Sequence, residues 1–283
     1  MKILKKIPFL TITLTMMIAL MMSTPTKVSG ATTPVDLATA STFGILANTT
    51  ITNTGTSSVG GSAGGDIGLY AGSSITGLTT LTISGTVHIS DATAITAKDD
   101  LSNAYDNAAG RTPFTTIATE LGGMTLVPGV YRSTSGTFGI TGTLTLDGQN
   151  DADAVFIFQM TKTLITASAS KIIMTNGARV CNVFWQVGSS ATLGTYSYFI
   201  GRIMASTSIS ANTGAVIYGS LHAKTGAVTL QSNKIMNIVC SSSPTDEGGL
   251  LPDTGSNVYG ILMLGAFLVL VGIVGLRFKK RYE

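Results

Sequence analysis

Charged side chains are scarce in this chain of 283 residues, where they make up 11% of the sequence, against about 25% in ordinary soluble domains. So little charge argues against a helical bundle, whose outward faces need many Lys and Glu residues. The hydrophobic share of 44% argues against disorder, which goes with low hydrophobicity and high charge. We therefore expect a folded chain whose surface is built from small, uncharged side chains.

Basic residues are scarcest in the body of the chain. Eight of the 17 Lys and Arg residues, but only one of the 14 acids, lie in residues 1–30 and 277–283. The body between them is mildly acidic, with 9 bases and 13 acids, and it contains no run of Lys or Arg. A nucleic-acid partner needs a basic footprint, so that class of partner is excluded.

Groups that could carry catalysis are also few, since the only histidines are His88 and His222. The enzymes that often have a parallel β-helical fold are polysaccharide lyases and hydrolases. Their catalysis needs clustered acids, bases or a Ca²⁺ site. Asp151 and Asp153 form one acidic pair, but that spacing is typical of residues that complete a turn. The glycine-rich residues 60–65 lack a following Lys and are predicted to be a turn rather than a phosphate loop. We predict no enzymatic activity, no cofactor and no metal site.

The N-terminal residues 1–30 have the pattern of a secretory signal. Lys2, Lys5 and Lys6 precede an apolar stretch over residues 9–22, and small residues follow at 28–30. This order predicts export with removal of residues 1–30. An uncleaved membrane anchor is the alternative.

The C-terminal residues 251–283 have the pattern of a sorting signal. Residues 258–276 are apolar and uncharged, long enough to span a bilayer, and a basic tail follows them. With the preceding pentapeptide, they resemble the LPXTG signal of Gram-positive surface proteins anchored by sortase; that pentapeptide is Leu251, Pro252, Asp253, Thr254 and Gly255. The resemblance implies cleavage after Thr254, attachment of Thr254 to cell-wall peptidoglycan, and membrane contact only before sorting. A plain C-terminal membrane anchor is the alternative, and residues 241–250 are predicted to be a short stalk.

The chain has only two cysteines, Cys181 and Cys240. Export permits a disulfide between them. A disulfide that closes a loop of this length stabilises the fold by roughly 3–4 kcal/mol in the chain-entropy model. The alternative, a reactive thiol, lacks a basic neighbour close in sequence.

A five-residue pattern (apolar, Ser or Thr, apolar, variable, small) recurs along the body of the chain. Its copies begin at Leu81, Leu144, Ile165, Ala191, Ile209 and Val228, and the last three are spaced 18 and 19 residues apart. Alternation of apolar and polar residues predicts strands with one buried face, and the spacing favours coils of a β-solenoid over a β-sandwich. The predicted core residues are Ile165, Leu193, Ile209 and Leu230, and the predicted outward ladder is Thr166, Thr192, Ser210 and Thr229.

One segment breaks the β pattern. Residues 96–109 are predicted to form a helix, with Thr96 and Asp99 as a capping box and Gly110 as its end. Its apolar face, formed by Ala97, Leu101, Ala104, Tyr105 and Ala108, is expected to pack along the side of the coils.

Several motifs occur in an order that resembles the bacterial and fungal ice-binding-like β-solenoid family. They are found at residues 97–101, 105–112, 121–123, 126–131, 153–159 and 181–188. The resemblance implies an all-β fold with one long helix: a discontinuous, triangular β-solenoid over residues 31–240, with the helix packed alongside. It also implies that the ice surface is the partner, bound through one flat β face.

The ice face of that family resembles a repeated Thr-(Ala/Gly)-x-(Thr/Asn). Asp147 and Gln231 would intrude on such a face if they lie on it. Its candidate residues here are Thr82, Thr145, Thr166, Ser168, Thr192, Thr195, Ser210, Asn212, Thr213 and Thr229. Two alternatives stay open: an ordinary solenoid surface rich in hydroxyls, and a surface adhesin or structural module without ice activity.

Overall fold

The computed structural model describes residues 32–240. The predicted secretory signal, stalk, pentapeptide and apolar span all lie outside these residues. Among the described residues, no helix is both long and apolar enough to cross a membrane.

The described residues form coils of short strands that pair in parallel with the coils on either side. Three rows of strands run along the stack. Row A contains β1 (Phe43–Ala47), β4 (Asp66–Leu69), β7 (Val87–Ile89), β8 (Thr115–Ile117), β10 (Gly129–Ser133), β13 (Phe156–Met160) and β16 (Val183–Val187). Row B contains β2 (Thr50–Thr54), β5 (Ser74–Thr76), β11 (Phe138–Ile140), β14 (Leu164–Thr166), β17 (Ala191–Leu193), β19 (Ile209–Ala211) and β21 (Val228–Gln231). Row C contains β3 (Ser57–Gly60), β6 (Leu81–Ile83), β9 (Thr125–Leu126), β12 (Thr143–Asp147), β15 (Lys171–Thr175) and β22 (Lys234–Met236).

Two long strands, β18 (Tyr198–Ala205) and β20 (Val216–Ala223), belong to row C in their first half and to row A in their second. Each strand turns the corner between the rows at a glycine. Gly201 and Gly219 are paired with each other and have φ values of 115° and 146°. Other residues rarely adopt such values, so glycine is what allows an uninterrupted strand to bend here.

The order of the strands in the stack differs from their order along the chain. β1 pairs with β20, with Ile45 opposite Leu221, so the N-terminal coils extend the C-terminal end of the stack. As a result, β7 and β8 lie at opposite ends of row A. The single α-helix of residues 32–240, α1 (Ala92–Ala109), connects them, and its 18 residues carry the chain back over about 27 Å.

Helix α1 packs on row A, as the sequence predicts, but it begins earlier than expected. Its N-cap is Asp91, whose carboxylate accepts a hydrogen bond from the N–H of Ala94 at 2.8 Å. The capping box at Thr96 and Asp99 was therefore the wrong prediction, because Asp91 satisfies the free N–H groups one turn earlier. Lys98 is buried beneath the helix and donates to the carbonyls of Ala223 and Lys224 at 2.7 and 2.6 Å.

The core is formed by residues that point inward from all three rows. Its largest member, Trp185, stacks on Phe158 with ring centroids 3.9 Å apart. The indole N–H of Trp185 donates to the carbonyl of Ile200 at 3.0 Å, so its one polar group is satisfied inside the core. Trp185 therefore belongs to the core and not to a surface site.

A disulfide joins Cys181 to Cys240, with Cα atoms 5.6 Å apart. Cys181 lies just before β16 of row A, and Cys240 lies beyond β22 of row C. The bond therefore ties the end of the described chain to the side of the molecule away from row B.

Candidate functional site

The outward surface of row B, called here the row B face, is a regular array of small side chains. Its seven strands follow the order β11, β14, β17, β19, β21, β2 and β5. The strand registers align one outward residue from each strand into a central column, which consists of Gly139, Ile165, Thr192, Ser210, Thr229, Thr52 and Thr76. Five neighbouring members of this column are Thr or Ser.

A second outward column lies two positions earlier on each strand. The register pairs Thr50 with Ser74 in this flanking column. The equivalent positions on the other strands, one residue before each strand begins, are Thr137, Thr163, Ser190, Ser208 and Ala227. Some of its hydroxyls are held in place by the next coil. The Ser190 hydroxyl accepts from the N–H of Ser208 at 3.3 Å, and the Ser208 hydroxyl accepts from the N–H of Ala227 at 3.1 Å.

A third outward column lies two positions after the central one and is less regular. The register pairs its members Gln231 and Thr54. The equivalent positions on the other strands, just past the strand ends, are Thr141, Ala167, Asn212 and the buried Gly194. Gln231 does lie on this face, as considered from the sequence, and its side-chain oxygen accepts from the Thr213 hydroxyl at 3.0 Å. That hydrogen bond holds the longest side chain of the column against its own face.

The spacing of the array follows from sheet geometry. Neighbouring strands of a sheet are about 4.8 Å apart, and residues two apart on one strand are about 6.6 Å apart. Seven strands therefore give a surface about 29 Å long with hydroxyls repeating in two directions. Because every internal strand is bonded to a neighbour on both sides, the array is held rigid by the backbone.

The row B strands contribute no charged side chain to these three columns. Two charges border the columns: the Glu120 carboxylate accepts hydrogen bonds from the N–H and the hydroxyl of Thr141 at one end of the row, and the exposed Lys162 lies one residue before Thr163. Row C differs, because its outward positions include Lys171, Tyr198 and Lys234. Row A differs too, since α1 covers it. Row B is thus the uncovered row whose strands present small, uncharged side chains.

The structure corrects the predicted ladder in β14. Thr166 is buried, and its hydroxyl accepts from the N–H of Gly194 at 2.9 Å. Ile165, predicted to be in the core, points outward and is 51% exposed. A slip of one residue moves every side chain of a strand to the other face, and here the run Leu164, Ile165 offers two adjacent apolar residues, either of which could face the core.

The other candidate residues lie on row B, at the turn between rows B and C, or on row C. Thr192, Ser210 and Thr229 lie in the central column, and Asn212 lies in the third. Ser168, Thr195 and Thr213 lie between row B and row C, where the chain turns from one row to the next.

Thr82 and Thr145 lie on row C, so they do not share a face with Thr192, Ser210 and Thr229, contrary to the single face expected from the sequence. The five-residue pattern could not separate the rows, because every row alternates between core and surface. Asp147 also lies on row C, at the last position of β12, so it does not intrude on the row B face.

Two other features considered from the sequence have local structural roles. Asp151 lies in a turn, and its carboxylate accepts from the N–H of Asp153 at 2.8 Å. His222 is fully buried beneath α1, with one ring nitrogen at 2.9 Å from the carbonyl oxygen of Phe43. Within residues 32–240, no three His, Cys, Asp or Glu side chains are grouped so that they could hold a metal ion.

Comparison with protein-family models gives a match over residues 45–236, with the family described as Ice-binding-like. This match spans nearly all of the coils described above. The chain belongs to the Ice-binding-like family. Its family membership agrees with a fold made mostly of parallel β-strands with a single helix, as in the ice-binding β-solenoid proteins it resembles.

Two relatives illustrate how far the similarity extends. The chain is 43% identical over 249 residues to an ice-binding protein of Nostoc sp. (strain HG1), covering 87% of both chains. It is 38% identical over 219 residues to an ice-binding protein of Flavobacterium frigoris (strain PS1), covering 71% of this chain and 75% of the other.

A solved structure shows the same similarity in three dimensions. The crystal structure of an ice-binding protein from the Antarctic ascomycete Antarctomyces psychrotrophicus matches with a TM-score of 0.68 and 44% identity. The match covers 72% of this chain and 98% of that one.

Proposed function

We propose that this protein binds ice and that the row B face is the surface that contacts the crystal. The observation that carries the proposal is the uncharged array, rich in Thr and Ser side chains, on seven strands paired in parallel. The named relatives, which are ice-binding proteins, support the choice of ligand.

The chemistry of the array suits a crystalline water surface. Threonine offers a hydroxyl for water and a methyl group for close contact, and its branched side chain has few rotamers to lose. A charged group would hold its own hydration shell, and removing that shell is costly. Because the row B strands provide no charge, ordered water can cover the face without competition from ions.

Ice binding through such a face depends on shape more than on any one hydrogen bond. Liquid water competes for each hydroxyl, so a single bond contributes only about 1 kcal/mol net. Binding then requires that many groups along the row meet the crystal together. One bulky side chain in the row is therefore more harmful than the loss of one hydroxyl.

A pair of matched substitutions tests the assignment of the face. Thr229→Tyr places a large ring in the central column of row B, and Thr82→Tyr places the same ring on row C. We expect Thr229→Tyr to abolish crystal shaping and thermal hysteresis, and Thr82→Tyr to keep both. Because both side chains point outward, the free energy of unfolding of each variant should differ from that of the unaltered protein by no more than about 0.5 kcal/mol.

Two results would contradict the proposal. Full activity in Thr229→Tyr, with an unchanged melting curve, would exclude the row B face. Absence of activity in the unaltered protein would favour the second function considered from the sequence, a surface adhesin or structural module.

Two finer features are also proposed. We infer that the three rows enclose the triangular, discontinuous solenoid expected from the family resemblance, a shape supported by the strand order of the stack.

The order of pentapeptide, apolar span and basic tail supports secretion and sortase anchoring of Thr254 to the cell wall of a Gram-positive cell. Thr254→Ala is expected to leave the protein in the membrane fraction, and continued attachment to the wall would refute the anchor.

A further inference from the structure

The outward surface of row C, called here the row C face, carries exposed aromatic rings where row B carries hydroxyls. Tyr198 is 36% exposed and Tyr196, at the corner between the two rows, is 69% exposed. Tyr218, one strand further along, lies against Tyr198 with ring centroids 5.1 Å apart. Large exposed rings on a rigid sheet are informative, since most large apolar groups of a folded chain are buried.

The backbone at Tyr196 is left-handed, as it is at the equivalent turn of the other coils. The turn from row B to row C has a left-handed residue in each coil, and the members of this set are Gly142, Ala169, Tyr196, Gly214, Ser232, Gly55 and Gly77. Tyr196 has φ of 54°, a conformation that costs a residue other than glycine roughly 1–2 kcal/mol.

Two lysines flank the tyrosines along the row. Lys171 is paired with Tyr198 in the register, and Lys234 is two strands beyond Tyr198. The distance from Lys171 to Lys234 along the stack is therefore about 14 Å. Both lysines are exposed, and neither forms a described ion pair.

The row C strands carry almost no opposing charge. Their one acid is Asp147, at the last position of β12, and its carboxylate accepts hydrogen bonds from the Gln149 N–H and the Asn176 amide. Burial, together with the neighbouring Tyr218, raises the pKa of Tyr198 to about 12. The tyrosine is thus neutral at ordinary pH, and the row C strands carry two lysines, Lys171 and Lys234, against one acid.

We propose that the row C face binds an acidic polysaccharide, with the sugar rings stacked on Tyr196, Tyr198 and Tyr218 and the carboxylates paired with Lys171 and Lys234. Tyrosine supplies a large, rigid contact that loses little side-chain entropy, and the C–H face of a sugar is apolar enough to pack on it. The two lysines complement carboxylates spaced along one extended chain. This surface is separate from the row B face, so the inference does not depend on ice binding.

The other classes of polymer fit this face less well. Acids outnumber bases in the body of the chain, which disfavours nucleic acid. An extended acidic peptide binds by adding a strand to a free sheet edge, and β15, β18, β20 and β22 are paired on both sides. The exposed tyrosine rings, on which sugar rings can stack, therefore favour a polysaccharide over a nucleic acid or a peptide.

Affinity electrophoresis in native gels tests the proposal directly. We expect polygalacturonate, a carboxylated polysaccharide, to retard the protein, whereas neutral dextran and polyglutamate leave its mobility unchanged. Tyr198→Ala and the double variant Lys171→Gln with Lys234→Gln are each expected to weaken retardation about tenfold, the equivalent of 1.4 kcal/mol.

Two control variants remove a ring and a single exposed lysine elsewhere on the surface, the ring matched to Tyr198 in exposure. Tyr70→Ala removes a ring that is 36% exposed, the same fraction as Tyr198, and Lys162→Gln removes an exposed lysine between rows A and B. Both are expected to bind polygalacturonate like the unaltered protein. Thermal hysteresis is measured on the same samples and is expected to be unchanged in the row C variants, because the row C face is separate from the proposed ice-binding face.

Three results would overturn the proposal. The first is no retardation of the unaltered protein by polygalacturonate. The second is equal retardation by polyglutamate, which would reveal adsorption by charge alone. The third is unchanged binding of polygalacturonate by Tyr198→Ala. If the melting temperature of that variant shows that it is not folded, unchanged binding by the folded double variant Lys171→Gln with Lys234→Gln overturns the proposal instead.

Discussion

The row B and row C faces are built from the same coils but carry different side chains. In one coil, Thr192 of β17 and Tyr198 of β18 are six residues apart and both point outward. Their inward neighbours, Leu193 and Phe199, are both buried apolar residues. The comparison teaches that the inward residues specify the coil, while the outward residues are free to differ from row to row.

The largest expected effect is that of a charge placed on row B. Ser210→Lys introduces an ammonium group in the middle of the central column, and its hydration shell would separate the face from a crystal. We expect this variant to lose crystal shaping, whereas Val216→Lys, which adds the same charge to row C, retains it. Equal loss in both variants would show that net charge, and not the face, decides activity.

Reduction of the disulfide is expected to affect stability strongly and ice binding hardly at all. The loop between Cys181 and Cys240 spans 59 residues, so its closure contributes about 4 kcal/mol in the chain-entropy model. We expect a lower melting temperature in reducing agent, measured by circular dichroism. Since the bond lies away from row B, thermal hysteresis near the freezing point should persist. Two free thiols in the native protein would refute the bond.

Acid is predicted to destabilise the fold without altering the row B face. Burial holds the pKa of His222 at about 3, well below its usual 6.5. Between these values the unfolded chain binds a proton that the folded chain does not, so stability is complete above pH 6.5 and falls with decreasing pH. At pH 5 the loss is about 2 kcal/mol.

Urea unfolding at pH 7.5 and pH 5.0 measures this effect. A His222→Phe variant, in which the buried position cannot titrate, is expected to show a smaller difference between the two pH values. The row B columns contain no titratable side chain, so ice shaping should be the same at both values while the protein stays folded. Shaping that changes with pH in the folded protein would place a charged group in the contact.

The smallest expected effect comes from completing the hydroxyl column. Ile165 is the member of the central column that interrupts it next to Thr192, and Ile165→Thr would extend the run by one strand. We expect a modest increase in thermal hysteresis with a stability change within about 0.5 kcal/mol. A matched change on row C, Ile173→Thr, is expected to leave hysteresis unchanged. A decrease in Ile165→Thr would mean that the apolar contact at this position contributes more than a hydroxyl.

Much of the architecture could be predicted because it depends on local alternation. The parallel pairing of Ala191, Ile209 and Val228 follows the 18- and 19-residue spacing of the sequence. The end of α1 was predictable from Gly110 as a stop residue, and its packing on the coils from its apolar face. The start of α1 was missed, because Asp91 and Thr96 are both suitable caps and the sequence does not rank them.

By itself, the sequence determined which segments alternate between core and surface, where the helix interrupts them, and how little charge the surface carries. Only the tertiary structure decided which row each strand joins. Thr82, Thr145 and Thr229 share one local pattern, yet the first two lie on row C and the third on row B. Thr166 lies inward because the register of β14 is set by its neighbours β11 and β17. The row of a strand depends on turns and on pairing between coils far apart in sequence, and a five-residue pattern contains neither.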